Sequence, residues 1–530
     1  IMPLASYRDK VTQIRWGIDD FRRHFGREPE GMWLAETAIN QETVHALIEN
    51  GIKFTVLSPF QAEKTRLFFS NTWQNVEDGS IDPSQPYRIF LNDDPTRHLD
   101  VFFYDAPIST AVSFEHLLRD ANEFAKRLSL AAMPKEGRPT LIHIATDGES
   151  YGHHEPFGDM CLAYFFKRLA EEYHFRLINY GYFLELYSPV SEVVLKRGLS
   201  GEGTAWSCSH GVGRWKEDCG CSTHAGHGWN QRWRKPLREG LNALRDLLWE
   251  TYVTRTMDLF HDPEATRHDY YRLFSGIVSR DEFLGTHARR KNLSEADQTM
   301  IWSLLESQRH SQLMFTSCGW FFADISGIET VQILKYANIA IRYAQPYCSA
   351  PLEERLMVHL DQAKSNMGGS YDGSVVYHKW IKPYELDEFR AVNQYLVEGE
   401  FLELLKARQI YLYTLNPKKV VHVRIEDVRF TLVKIETEHV FTTQKKHLIA
   451  VLSTMNHQAS TWIGSKEKKS LDEIHHELMF FRKSRDVALF LSKHFLVHLG
   501  MNDLNFESSS VLMTHLWEQK YAGLIHSLDR

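Results

Sequence analysis

The sequence predicts an α/β protein whose first part is a parallel sheet covered by helices. Two observations predict it: apolar stretches of strand length alternate with amphipathic helical stretches over residues 1–190, and these strands read as continuous apolar runs. A helical bundle (235–405) and a small antiparallel β region with terminal helices (406–530) are predicted to follow. A chain of 530 residues is long enough for several domains.

The N-terminal elements follow from spacing and capping signals. Apolar residues recur at helical spacing over residues 6–25, and Gly26 ends this helix. The stretch 31–34 predicts a strand, Asn40 is placed to cap a second helix, and 54–57 predicts the next strand. The alternation continues with predicted strands at 99–106, 141–146 and 176–180 and predicted helices at 113–130 and 161–173.

The composition and periodicity of the sequence change after residue 190. Residues 191–234 are rich in Gly, Trp and Cys and show no regular period, which predicts a long functional loop or lid. Helical spacing dominates residues 235–405. Near the C-terminus, three alternating stretches predict strands of an antiparallel sheet.

Charge and composition narrow the class of partner. Acidic residues outnumber basic ones, 68 to 61, which argues against nucleic acid or an anionic membrane as partner. No apolar run is long enough to span a bilayer. The six cysteines are few for this length and predict a reducing compartment, the cytoplasm. The chain opens at Ile1, and we expect further sequence upstream.

Three acidic residues follow predicted strands: Glu36, Asp105 and Asp147. In parallel α/β architectures catalytic groups lie at the carboxyl ends of strands, whereas the ordinary alternative for each acid is a helix N-cap or a surface charge. A pair of carboxylates is the minimum required for glycoside hydrolysis. The three acids together therefore indicate a site that acts on sugars.

Aromatic residues in the same stretches fit this interpretation, because flat rings can stack on sugar faces. The candidates for substrate contact are Trp33, Tyr151, Trp206, Trp215 and Trp229. The ordinary alternative is that tryptophans belong to the core.

Two metal sites are open alternatives. Cys208, His210, Cys219, Cys221, His224 and His227 lie close in sequence, but C-x-H, C-x-C and H-x-x-H match no standard zinc pattern, so no metal is predicted there. His143, His153 and His154 with Asp147 could instead form the site of a metal-dependent deacetylase.

Two motifs resemble those of a known family. "FGREPEGMWLAE" resembles the third signature region of glycoside hydrolase family 57, and "TDGESYG" resembles its fourth region. The resemblance implies that Glu36 is the nucleophile and Asp147 the general acid/base, with Asp105 near the site. The family's first two regions are expected upstream of Ile1.

The resemblance also implies an incomplete (β/α)7 barrel, a retaining double displacement, α-glucans as substrates, and no cofactor or catalytic metal. We expect Glu149, Tyr151, His153 and His154 at the rim of the site and His143 beside Asp147, with a satisfied core histidine as the alternative for His143. Trp320, on the helical bundle, is a candidate stacking surface, although its place there favours a core role. A catalytically inactive glucan-binding protein is the alternative from a different class.

Overall fold

The computed structural model describes residues 1–91, 94–132, 139–223, 226–368, 371–402, 405–455, 458–465 and 469–504. The chain forms two compact units: Ile1–Lys291 with Ser307–Lys379, and Asn292–Glu306 with Trp380–Arg530. These limits differ from the predicted domain boundaries, since the last part of the predicted helical bundle belongs to the second unit. Among the described residues, no helix is both long and apolar enough to cross a bilayer.

A six-stranded mixed sheet forms the centre of the first unit. Its strands, in the spatial order β1-β5-β4-β6-β2-β3, are β1 Phe54–Leu57, β2 Ala62–Leu67, β3 Gln74–Asn75, β4 Tyr87–Leu91, β5 Asp94–Phe103 and β6 Ser191–Leu195. Strands β1 and β5 pair in parallel, as predicted, but β4 and β5 are antiparallel. Only two residues separate β4 from β5, which is too few for the crossover that parallel strands need.

Three predicted strands are extended segments without a regular ladder. Residues 31–34 make one parallel bridge, between Gly31 and Phe54. The segment 141–146 makes isolated backbone bonds, such as the one from Asp105 N to the His143 carbonyl, and 176–180 has no strand. The strand predictions for these segments are wrong. An apolar segment forms a strand only where an adjacent strand is in register to share its backbone hydrogen bonds, and composition does not determine this.

The helices of the first unit largely follow the predicted periodicity. Helix α1 ends at Gly26, which has φ 65°, and Asn40 caps α2 through a bond from Thr43 N. The predicted helix 113–130 is two helices. The bounds are α1 Tyr7–Phe25, α2 Gln41–Glu49, α3 Ala106–Phe114, α4 Ala121–Ala131, α5 Gly158–Tyr164 (continued by a π-turn, Phe165–Leu169), α6 Ala170–Glu172, α7 Tyr180–Leu186, α8 Arg234–Thr256, α9 Pro263–Phe274 and α10 Arg280–His287.

Further helices continue the predicted helical region. They are α11 Glu295–Leu313, whose residues are divided between the two units, α12 Cys318–Phe321, α13 Ile328–Ala344, α14 Leu352–Leu360, α15 Gly373–Trp380 and α16 Glu388–Phe401. Within the first unit, α8 packs against α13 and α14, and α1 packs against α9. The helical character predicted for 235–405 is confirmed.

The second unit contains the predicted antiparallel sheet. Each strand of this sheet pairs with the next one along the chain. The strands are β7 Arg408–Ile410, β8 Tyr413–Ile425, β9 Val428–His439, β10 Lys445–Met455, β11 Gln458–Ser465 and β12 Val497–Gly500. One face packs on α16 and the other on α17 Leu471–Leu478 and α18 Ser484–His494. Along β10, Ala450 and Leu452 lie on the first face and Ile449 and Val451 on the second, as the two-residue period requires.

Candidate active site

Glu36 lies in a strained turn. In the turn Ala35–Thr37, Glu36 has φ 62° and ψ 18°, and Thr37 has φ 49°. Both residues are in the left-handed region, which is unfavourable for residues other than glycine and above all for a β-branched one. Each such residue costs about 1–3 kcal/mol and persists only where its surroundings fix the backbone.

Gln61 fixes this turn from a buried position. Its side chain accepts a hydrogen bond from the Thr37 hydroxyl (2.8 Å) and donates one to the Thr37 carbonyl (2.9 Å). The same amide nitrogen donates to the Thr204 hydroxyl (3.1 Å), and Ile39 and Thr204 exchange two backbone hydrogen bonds of 3.0 Å. The turn that carries Glu36 is thus tied to the segment that begins at Thr204.

The carboxylate of Glu36 is oriented by that same segment. Trp206 Nε1 donates to Glu36 Oε2 at 2.9 Å, and the Ser207 hydroxyl donates to the same oxygen at 2.7 Å. The Trp206 backbone N–H also donates to the Glu36 carbonyl (3.0 Å). Three hydrogen bonds therefore hold both the backbone and the side chain of Glu36.

Asp147 lies close enough to Glu36 for the Glu36 charge to act on it. It precedes the short turn Gly148–Ser150. Partial burial and then the negative charges of Glu36 and Glu149 raise the pKa of Asp147, while the charge of His154 opposes this. An acid whose pKa is raised by a neighbouring carboxylate stays protonated to higher pH and can donate its proton.

Aromatic rings surround Glu36. Trp33 is 49% exposed and meets the Trp206 ring edge to face, with centroids 5.3 Å apart. Tyr104 also meets the Trp206 ring edge to face, with centroids 6.2 Å apart. An exposed indole beside an oriented carboxylate gives this site a surface on which a flat ligand ring can rest.

His143 belongs to an aromatic cluster. Its Nδ1 is 2.9 Å from the Tyr180 hydroxyl, its Nε2 is 3.2 Å from the Pro83 carbonyl, and its ring meets Phe102. Burial lowers the pKa of His143 to about 4, so the ring is neutral near pH 7. Both nitrogens have protein partners, so the geometry is that of a satisfied core histidine.

Other predicted site residues have identifiable local roles. The Asp105 carboxylate caps α3 by accepting from Ile108 N (2.9 Å), the ordinary alternative for this acid. The Tyr151 hydroxyl accepts from Thr146 Oγ1 (3.2 Å), and His153 stacks edge to face on His154. Trp229 is half-buried in a turn closed by its bond to Gly226, and His224 lies outside the described residues.

Two predicted stacking residues are core residues. Trp215 and Trp320 are both 0% exposed, so neither ring can meet a substrate in this conformation. Trp320 packs parallel to Phe315 and under the guanidinium of Arg238, 4.0 Å from the ring centroid. The prediction of substrate contact for these two residues is wrong. Trp215 is buried although its segment is irregular, and Trp320, on α12, has the core role that its place among helices favours.

Comparison with known proteins identifies the chain. The family model described as "Glycosyl hydrolase family 57" matches residues 1–196. Residues 1–196 belong to glycoside hydrolase family 57. A second model, described as "Domain of unknown function (DUF3536)", matches residues 229–504, just over half of the chain, so the chain belongs to that family as well. The resemblance stated from the two motifs is confirmed.

Curated relatives match part of the chain. An α-amylase of Pyrococcus horikoshii is 24% identical over 217 residues, which are 39% of this chain and 30% of the relative. A 4-α-glucanotransferase of Thermococcus kodakarensis is 24% identical over 209 residues, 38% of this chain and 28% of the relative. The chain thus spans less than a third of the length of these relatives.

One solved structure supports the fold. A novel exo-type maltose-forming amylase from Pyrococcus sp. ST04 superposes with a TM-score of 0.50 at 14% identity, over 77% of this chain and 66% of the other. This likeness supports the mixed α/β fold of the chain.

Three residues near Glu36 were missed from the sequence. Gln61 and Ser207 hold the turn and the carboxylate, and Cys318 lies close enough that the charge of Glu36 contributes to raising its pKa, after burial. None belongs to a family 57 motif quoted above. The sequence signal for Ser207 was its place directly after Trp206, within a Gly- and Cys-rich stretch.

Gly203 is required where the Glu36 turn meets its supporting segment. It has φ 113°, and a Cβ there would lie 2.4 Å from the Ile39 carbonyl oxygen, a backbone atom already bonded to Thr204. We expect Gly203→Ala to lower the free energy of unfolding by about 2 kcal/mol or more, measured by urea denaturation.

The matched control is Gly201→Ala. Gly201 also has a left-handed φ, 75°, but a Cβ there meets no atom within 4 Å. It is expected to cost only about 1 kcal/mol. Equal losses in the two variants would show that the contact with Ile39 is unimportant.

Proposed function

We propose that this protein is a retaining glycoside hydrolase or transglycosylase that acts on α-glucans through a glycosyl-enzyme intermediate. The observation that carries the proposal is the proximity of Glu36 and Asp147: the Glu36 carboxylate accepts two hydrogen bonds, its backbone carbonyl accepts a third, and its charge helps raise the pKa of Asp147. Family membership and the names of the matched relatives support α-glucan as the substrate class.

In the first step Glu36 attacks the anomeric carbon. Trp206 and Ser207 both occupy Oε2, which leaves Oε1 to form the new C–O bond. The glycosidic bond breaks, its electron pair stays on the leaving oxygen, and the proton of Asp147 goes to that oxygen. The product of this step is a glycosyl ester of Glu36 and an ionised Asp147.

In the second step Asp147 acts as a base. It takes a proton from water or from a sugar hydroxyl, whose oxygen then attacks the anomeric carbon and releases Glu36 with overall retention. A retaining enzyme requires the two carboxyl groups about 5–5.5 Å apart, against about 6.5–9.5 Å for an inverting one. The shorter spacing is part of the proposal.

The remaining predictions of substrate contact belong to this proposal. Trp33 is the best-supported stacking surface, since its exposed ring adjoins the residue that binds Glu36. Contacts from Glu149, Tyr151 and His153, and the (β/α)7 barrel itself, are further expectations. A reducing compartment such as the cytoplasm is supported by the six cysteines, none of which forms a disulfide.

The deacetylase alternative gains no support from the site. Both nitrogens of His143 already have protein partners. Among the described residues, one group of side chains is close enough to share a metal ion. It contains neither Asp147 nor His143, His153 or His154.

Incubation with maltoheptaose tests the proposal. Products both longer and shorter than the substrate, absent with Glu36→Gln, are expected from a transglycosylase, and shorter products alone from a hydrolase. The protein and its variant are compared by chromatography at equal folded concentration. Binding of maltoheptaose without turnover by the folded protein would instead support the inactive glucan-binding alternative.

The donor on Trp206 has a measurable role. Trp206→Phe keeps an aromatic ring against Trp33 but removes the N–H that donates to Glu36. Hydrogen bonds to charged groups contribute about 1.5–3 kcal/mol, so we expect kcat/KM on maltoheptaose to fall roughly 10–100-fold. As control, Trp73→Phe alters a ring that contacts Arg66 and should leave kcat/KM near the wild-type value. Equal effects would contradict the role of Trp206.

A further inference from the structure

Four metal-binding side chains converge next to the Glu36 segment. The ligand atoms of Cys208, His210, Cys219 and Cys221 all lie within 4.8 Å of one another. Cys208 Sγ and Cys219 Sγ are 3.9 Å apart, and Cys221 Sγ is 3.4 Å from His210 Nδ1. Two short segments, C-x-H and C-x-C, therefore supply three sulfurs and one imidazole nitrogen to one place.

These distances fit the edges of a small tetrahedron. Zinc bonds of about 2.3 Å to sulfur and about 2.0–2.1 Å to nitrogen give tetrahedral edges of roughly 3.8 Å between sulfurs and 3.5 Å between sulfur and nitrogen. The two distances above are close to these values. A disulfide would require about 2.05 Å between sulfurs, far less than is observed.

The surroundings favour a negatively charged centre. Arg234 is 0% exposed, its Nε has no hydrogen-bond partner in the described structure, and its Nη1 donates to the Cys221 carbonyl at 2.8 Å. A buried cation is costly unless an opposite charge compensates it. Zn²⁺ bound by three thiolates and a neutral histidine carries one net negative charge and would supply that compensation.

The backbone around the donors is closely packed. A Cβ on Gly213 would lie 2.8 Å from Cys219 Cβ, so the backbone at Gly213 approaches Cys219 as near as glycine allows. Ala205 and Cys208 form an antiparallel bridge, and Gly211 N donates to the Cys208 carbonyl. The donors are therefore mounted on short turns that hold them together.

We propose that Cys208, His210, Cys219 and Cys221 bind one structural Zn²⁺ ion. Binding displaces the three thiol protons and leaves each sulfur bonded to the metal. Four protein ligands fill a tetrahedral site, so this ion is structural and takes no part in bond cleavage.

The site also anchors the segment that orients Glu36. Cys208 directly follows Ser207, which donates to the Glu36 carboxylate, and Trp206 precedes it. Fixing Cys208 limits the motion of both donors. This second part of the inference rests on the proposed function, whereas metal binding does not.

Metal content is measured first, on the full-length protein purified in reductant. We expect about one zinc per chain by elemental analysis, and replacement by Co²⁺ should give the visible absorption of tetrahedral thiolate-bound cobalt. Protein that retains less than a fifth of an equivalent after reconstitution with Zn²⁺, or that lacks thiolate-to-cobalt absorption, would overturn the proposal.

Variants identify the ligands. Cys208→Ser and Cys221→Ser are expected to weaken zinc binding by more than the roughly 10–100-fold that loss of an outer partner causes. Cys348→Ser, which alters a cysteine outside the cluster, should bind as the wild type does. If a ligand variant fails to fold, the cobalt spectrum of the wild type still decides the question.

Hydrogen exchange tests the link to Glu36. Removal of zinc by a chelator should increase exchange in peptides covering residues 203–215 and leave those covering β10 unchanged. Zinc binding without this increase would overturn the anchoring role. If the zinc-loaded protein shows the expected exchange pattern but does not turn over maltoheptaose, the result counts against the proposed function and not against the zinc site. The two failures are therefore distinguishable.

Discussion

Replacement of Glu36 by alanine is expected to lower turnover of maltoheptaose by about 10⁴-fold or more, since removal of a nucleophile abolishes the covalent route. The variant removes only the acceptor of two side-chain hydrogen bonds, from Trp206 and Ser207, and leaves the backbone bonds of the turn in place. An unchanged urea-unfolding midpoint would show that the loss is chemical.

Azide distinguishes a nucleophile from any other essential acid. With an activated substrate such as 4-nitrophenyl α-maltoheptaoside, azide can enter the space left by the Glu36 carboxylate and displace nitrophenolate directly. We expect Glu36→Ala to form the glycosyl azide of inverted configuration, measured by NMR. No rescue, or a product of retained configuration, would contradict the role of Glu36.

Replacement of Asp147 by asparagine is expected to lower kcat by about 10²–10⁴-fold on maltoheptaose, because the leaving oxygen loses its proton donor. The loss should be smaller on the nitrophenyl substrate, whose leaving group needs little protonation. Equal losses on both substrates would indicate that Asp147 acts in some other way. For Asp147→Ala with azide, the glycosyl azide should keep the substrate configuration.

The raised pKa of Asp147 predicts the direction in which the pH dependence of kcat/KM changes when a nearby charge is removed. Nearby negative charges disfavour its ionised form, and Glu149 contributes one of them. Glu149→Gln removes that charge, lowers the pKa of Asp147, and so moves the alkaline limb of the kcat/KM profile to lower pH. Glu172→Gln, a surface change on α6, should leave the limb in place. A shift to higher pH would contradict this assignment.

Much of the fold followed from periodicity, but pairing did not. Residues 6–25 and the strands around Ala450 were predictable because each buries one face at a regular period. The segment 141–146 is just as apolar, yet it has no strand, since a ladder depends on neighbours from distant parts of the chain.

The site was predictable only where it followed local motifs. Glu36 and Asp147 came from their places after apolar stretches and from their resemblance to family 57 motifs. Gln61 and Ser207 act through contacts with residues far away in sequence, which no local pattern encodes. The prediction that Trp215 and Trp320 contact substrate was wrong for the same reason, because the burial of a ring depends on which distant elements pack around it.

The donors to Glu36 lie outside the part of the chain that the family 57 model covers. That match ends at residue 196, whereas the donors Trp206 and Ser207 come after it, as does Thr204, which bonds to Gln61 and Ile39. A catalytic unit defined by the match alone would keep both acids and lose the partners that hold Glu36 in its left-handed turn. Under the proposed function, a self-sufficient catalytic fragment therefore has to extend at least through Ser207, and divergence in this segment can alter catalysis without any change in either family motif.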